Sequence, residues 1–94
     1  MPSPRLLRVP EDVRALVRGL HPDIKRKVRA GLLEITRHPE IGKPLRDDLN
    51  GLWSLRVSRF RIVYRINSPQ IIDIIAIGPR RAIYEDTVKR LRNS

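Results

Sequence analysis

The residues of this chain best suited to chemistry are arginines. Residues 52–66 read LWSLRVSRFRIVYRI, and a β-hairpin turning at Ser58 and Arg59 sorts them into two faces, because side chains alternate along a strand. Trp53, Leu55, Val57, Phe60, Ile62, Tyr64 and Ile66 share one face, and Leu52, Ser54, Arg56, Arg61, Val63 and Arg65 the other. In that register Arg56 lies directly opposite Arg61. Like charges facing each other across a ladder are destabilising. An anion held between them converts the repulsion into charge-assisted hydrogen bonds. A solvated arginine face on an ordinary sheet carries the same residues without an anion, since exposed cations are common. Arg80 and Arg81 follow the Gly78-Pro79 break, beside the start of the last helix. That position suits an anion and is unfavourable for cations left at the positive end of a helix dipole; plain loop arginines are the alternative. Tyr84, in the first turn of that helix, can stack on a base or dock the helix on the core.

Other chemistry is thinly represented. His21 and His38 each precede a proline at a helix end, which suits caps and turns better than catalysis. No Ser-His-Asp set, metal-ligand cluster, phosphate-binding loop or zinc-finger spacing is present in the sequence, so no metal or cofactor is expected. Asp47-Asp48 could mimic a metal pair, but the surrounding Gly and Asn favour a turn. Lys25, Arg26, Lys27 and Arg29 occupy the polar side of a helix, either solvated or tracking a phosphate backbone. Trp53 and Tyr64 oppose each other on the apolar face and read as core.

Composition agrees with an anionic partner. The chain has 94 residues, 20 Lys and Arg against 10 Asp and Glu, and a formal net charge of +10. Sixteen of the cations are arginine, whose planar fork pairs bidentately with phosphate, so nucleic acid is favoured over a merely basic surface. The length corresponds to one domain, residues 1–94, with a single modest core. Without cysteine there is no disulfide framework and no thiolate zinc site. The N-terminal MPSPRLLRVPED lacks the apolar run of a signal peptide or membrane helix, so a cytoplasmic protein with no membrane partner is expected.

The elements that must position these residues follow from pattern. Residues 5–9 form a short strand cut by Pro10. Pro10, Glu11 and Asp12 open a helix with Val13, Leu16, Val17 and Leu20 on one stripe, punctuated by Gly19 and Pro22. Asp23 opens a second helix lined by Ile24, Val28, Leu32 and Ile35 and closed by Pro39. Residues 38–51, HPEIGKPLRDDLNG, read as a loop. After the hairpin, Asn67-Ser68-Pro69 turns the chain into a strand over 71–77, apolar on both faces and therefore well covered. Residues 82–92 form a last helix with Tyr84, Val88 and Leu91 on one side. The order β-α-α-β-β-β-α describes an α+β domain, a mostly antiparallel sheet with a helical hairpin on its apolar face. The arginine face is expected to stay open.

GKPLRDDLNG before the hairpin, GLWSLRVSRFRIVYRI within it and IIDIIAIGPRRAIYEDTVKRL after it together resemble the RelE/ParE toxin superfamily of type II toxin-antitoxin systems, in order and over essentially the whole chain. The resemblance leans to the RelE branch, which cuts mRNA on the ribosome. The ParE branch inhibits DNA gyrase on the same fold, and fold alone does not choose between them. On the RelE pattern, Arg56, Arg61, Arg80 and Tyr84 are the implied catalytic residues, with Arg59, Arg65, Arg81 and Ser54 as further RNA contacts. RelE-like enzymes often carry a lysine where this chain has Ser54, which removes an obvious proton acceptor and leaves a catalytically weak nucleic-acid-binding relative as a further alternative. The resemblance also implies a cognate antitoxin, mRNA in the ribosomal A site as substrate, a monomer alone and a larger complex with the antitoxin.

Overall fold

The positions of the chain's prolines, glycines and β-branched residues translate directly into its elements. In a computed structural model that describes residues 5–80 and 82–92, the strands are β1 (Leu6–Arg8), β2 (Lys43–Pro44), β3 (Trp53–Val57), β4 (Phe60–Ser68) and β5 (Ile71–Pro79). The helices are α1 (Glu11–Arg18), α2 (Pro22–Arg37) and α3 (Ile83–Arg92), with 3-10 turns at Pro39–Ile41 and Asp47–Leu49. The five strands form one sheet in the order β1-β5-β4-β3-β2. Only the β1–β5 pair is parallel; the others are antiparallel.

The expected hairpin register holds: Trp53 faces Tyr64, Arg56 faces Arg61 and Val57 faces Phe60. The two-residue turn is tight because Ser58 takes φ 58°, the left-handed conformation that such turns demand at their first position. Between β4 and β5 the register slips, so that Val63 pairs with Ala76 but Tyr64 with Ile74. The extra residue is Ile75. This bulge lets Ile72, Ile74 and Ile77 share the helical face despite their uneven spacing, while Ile75 and Ala76 turn to the other face.

On the helical face, Val13 and Val17 of α1 and Val28 and Ile35 of α2 close over Ile62, Tyr64, Ile72 and Ile74. Gly31 sets the distance of α2 from the hairpin, since a Cβ there would meet Val57 Cγ2 at 2.8 Å. His21 caps α2 by accepting the Asp23 N–H, the role its position suggested, and the Arg5 guanidinium donates to the Thr36 carbonyl at 2.8 Å, satisfying the helix's other end. Tyr64 is buried, but its hydroxyl donates to the Pro39 carbonyl at 2.6 Å and accepts the Gly42 N–H at 3.0 Å. Burial raises the phenol's pKa. These two bonds pin residues 39–42 to the sheet and deliver the chain into β2.

Two expectations need correction. Residues 38–51 are not loop throughout: Lys43 and Pro44 pair with Ser54 and Trp53 as an outer strand. The arginine face does not stay open either. Helix α3 packs on it, and Ile83 joins Leu52, Val63 and Ala76 in a second core. Thr87 is buried beside Ile83, its hydroxyl donating to the Ile83 carbonyl, and Tyr84 and Leu91 are partly buried at the rim of this second core. Val63, Ala76 and Ile75 are apolar on this face, and fully burying a side chain the size of Val63 or Ile75 is worth about 1.5–3 kcal/mol. They require a cover, and α3 is the element long enough to supply it. What remains uncovered is the hairpin end of the face.

A candidate anion groove at the hairpin end

At that uncovered end, each flanking strand contributes one side chain position around Arg61. On one side β3 presents Arg56. On the other, β5 presents Gly78, whose missing side chain leaves Ile83 room to settle; a Cβ would lie 3.3 Å from Ile83 Cδ1. Past the end of β5, the Arg80 N–H donates to the Arg59 carbonyl at 3.2 Å. This fixes Arg80 beside the turn, in the exposed region that also carries Arg59. The result is a cavity of about 380 Å³ lined by Arg56, Arg59, Arg61 and Arg80 together with Ser58, Phe60 and Pro79. Among the described residues no carboxylate lines it. Among the described residues none of these four arginines enters an ion pair.

Arg61 is the fixed member. Its Nη1 donates to Ser54 Oγ at 3.3 Å, and its guanidinium carbon lies 6.0 Å from the centre of the Tyr84 ring, within the range of a cation–π contact. Its Nε is buried and has no hydrogen-bond partner among the described residues. A buried donor left unmade costs about 1–3 kcal/mol, so the fold carries Arg61 at a loss. Arg56 is exposed, its Nε 3.4 Å from the Ser58 carbonyl.

The sequence candidates therefore separate. Arg56, Arg59, Arg61 and Arg80 converge, and Tyr84 joins them through Arg61. Arg81 lies outside the described residues. Ser54 is 2% exposed, and its Oγ accepts from Arg61 Nη1. Arg65 stands two residues beyond Val63 and faces Asp73 across the β4–β5 ladder, not the cavity. There Asp73 accepts both Nε and Nη2 of Arg8 and the Asn67 amide. The Arg8 hydrogen bond is the main cause that lowers the Asp73 carboxyl below its ordinary pKa.

The cation that sequence reasoning missed is Lys43. It pairs with Ser54, is exposed, and forms no ion pair among the described residues. The signal was available: the residue before a proline is pushed out of the α region into extended backbone. A larger hollow of about 810 Å³, at the opposite end of the helical face near His38, Ile41 and Ile66, gathers no free cations. Its Arg5 is spent on carbonyls and its Arg37 on Glu34. Among the described residues there is no cluster of three or more potential metal ligands and no helix long and apolar enough to cross a membrane.

The groove gathers four arginines beside an aromatic ring. Residues 7–84 match the family model described as the ParE toxin of the type II toxin-antitoxin system parDE. Among solved structures, the RelBE2 toxin-antitoxin complex from Mycobacterium tuberculosis is 30% identical, covering 83% of this chain and 100% of that one, with TM-score 0.71. A mutant of the E. coli toxin RelE in the free state is 19% identical, covering 95% and 99%, with TM-score 0.74. The archaeal RelE-RelB complex from Pyrococcus horikoshii is 20% identical, covering 83% and 97%, with TM-score 0.65. Curated protein sequences give no match. By sequence model and by fold, the chain belongs to the RelE/ParE family of type II toxins.

Proposed function

We propose that this toxin is a RelE-type endoribonuclease that cuts mRNA in the ribosomal A site and is held in check by a cognate antitoxin. The observation that carries the reading is the acid-free cavity lined by Arg56, Arg59, Arg61 and Arg80, with Tyr84 packed against Arg61. Four forks aimed into one space suit a phosphate that gains charge during reaction.

In the reaction, the RNA 2′-oxygen attacks the adjacent phosphorus and the bond to the 5′-oxygen breaks. The products are a 2′,3′-cyclic phosphate and a 5′-hydroxyl. One proton leaves the 2′-hydroxyl and one reaches the departing 5′-oxygen. Arg56 and Arg61 cradle the equatorial oxygens, Arg80 steadies the leaving-group side, and the Tyr84 ring orients a base or the 2′-hydroxyl. Arginine stays protonated at neutral pH, so these groups stabilise charge and are poor proton shuttles. Catalysis by the isolated protein is accordingly weak, and the ribosome contributes by presenting the RNA already aligned for in-line attack. The same +10 domain suits an antitoxin segment that combines acids with apolar anchors, free toxin being a monomer and the complex larger.

A second reading, gyrase inhibition without nuclease chemistry, is favoured by the ParE family model; Ser54 in place of a basic side chain favours a third, a catalytically weak nucleic-acid binder. Primer extension on mRNA translated in vitro with added toxin separates the first two, with DNA supercoiling by gyrase measured in parallel. The nuclease reading expects discrete A-site cuts and unaffected supercoiling. Intact mRNA together with blocked supercoiling overturns it.

A further inference from the structure

We propose that Lys43 forms the outer end of the anion groove, so that the ligand is a chain of phosphates laid across the strands and not a single phosphate group; this rests on the nuclease reading of the same groove. Three observations place Lys43 on the arginine face. Gly42 is extended, with ψ −177°, and a Cβ at Gly42 would point at Tyr64 Oη, 2.6 Å away, on the helical face. Alternation along the strand then turns Lys43 to the opposite face. Its register partner is Ser54, the residue that holds Arg61, and directly opposed residues share a face.

The sheet thus offers Lys43 on β2, Arg56 on β3 and Arg61 on β4, and Arg80 follows β5. Strands lie about 4.8 Å apart, so this row is about 14 Å wide, longer than one phosphate. Diagonal neighbours on adjacent strands stay within reach of long side chains, so Lys43 and Arg56 can grip successive phosphates of one backbone. No carboxylate is ion-paired to Lys43, Arg56, Arg61 or Arg80 among the described residues. A lone lysine on an edge strand also discourages edge-to-edge pairing, and the test must separate that role.

The probe is a fluorescein-labelled ten-nucleotide single-stranded RNA, titrated with the purified toxin and read by anisotropy between 50 and 300 mM salt. Each lost phosphate contact lowers the salt slope by about 0.7 for a single strand, which at 50 mM salt is an affinity loss of roughly eightfold. Lys43→Ala is expected to show both changes and Lys43→Arg neither, with the same melting temperature and monomer size. Unchanged affinity and slope in Lys43→Ala, while Arg61→Ala binds more weakly, overturn the inference and leave the groove standing. Unchanged binding in Arg56→Ala and Arg61→Ala as well overturns the groove reading itself. Self-association of Lys43→Ala with undiminished RNA binding assigns the lysine to edge protection and also overturns the inference.

Discussion

One face of the sheet carries two arginine clusters, and they are built on opposite principles. At the far end from the hairpin turn, Arg8 is ion-paired to Asp73, which also accepts from Asn67 and faces Arg65 across the ladder. The acid there is paired through both carboxylate oxygens, and the pair ties β1 to β5. At the hairpin end, among the described residues, Arg56 faces Arg61 with no acid lining the cavity, and a buried guanidinium nitrogen is left without a partner. The first cluster makes sense as structure alone. The second sets like charges against each other and leaves a buried donor unmade, the kind of cost that binding sites commonly carry, and under the proposed function an arriving anion offsets it. The two differ by a single kind of residue, the intervening carboxylate.

That contrast can be broken or sharpened experimentally. The largest expected effect short of the arginines themselves is at Tyr84. Base stacking on an aromatic ring is worth about 1–3 kcal/mol, so Tyr84→Ala should slow ribosome-bound mRNA cleavage by roughly 5- to 150-fold. Tyr84→Phe should stay within a few-fold, because the ring is retained; a large loss in the phenylalanine variant would transfer the role to the hydroxyl. Next comes the compensated cluster. Asp73→Asn strips Arg8 of its paired acid and should lower unfolding stability by at most about 1 kcal/mol in urea titration, with little change in cleavage rate. The groove should respond in the opposite sense: Arg61→Ala relieves the repulsion with Arg56 and the unmade bond at Nε, and should leave stability unchanged or raise it by about 0.5–1 kcal/mol. A clear destabilisation would show that Arg61 is structural after all.

The smallest effect is in the pH dependence. Asp73 has its pKa lowered by Arg8, and Asp12 by Arg90. A carboxyl depressed in the folded state adds stability that is present above its unfolded value, about 3.9, and lost as pH falls through the folded one. Stability should therefore be level with respect to these groups above about pH 5 and decline below about pH 4. In Asp73→Asn that decline should be shallower, measurable as a smaller drop in melting temperature between pH 5 and pH 3.

Much of this was legible before any coordinates. The alternation in residues 52–66 yielded the hairpin, its turn and the Arg56–Arg61 pairing. The 3.6-residue stripes yielded α1 and α2, and the resemblance covered the family. What escaped has physical reasons. Strand β2 is two residues long and ends in proline, so no period can reveal it, and Lys43 went unnoticed with it. The cover supplied by α3 was missed although residues 71–77 read as apolar on both faces; the bulge at Ile75 moves Ala76 onto the arginine face, where Val63 already lies, and periodicity assumes an unbroken register. Arg65 looked equivalent to Arg61 because both share a face; only the neighbouring strand showed that one meets Asp73 and the other Gly78.

The contrast between the clusters is tested most directly by the single-turnover rate of A-site mRNA cleavage for Arg61→Ala and Arg8→Ala, measured side by side with wild type. Removing one preorganised charge stabiliser costs roughly 10²–10³ in rate. Arg61→Ala should fall by that amount, with its fold intact, while Arg8→Ala cleaves within a few-fold of wild type. Equal losses in both variants, or full activity in Arg61→Ala, would contradict the assignment of the uncompensated cluster as the site of chemistry.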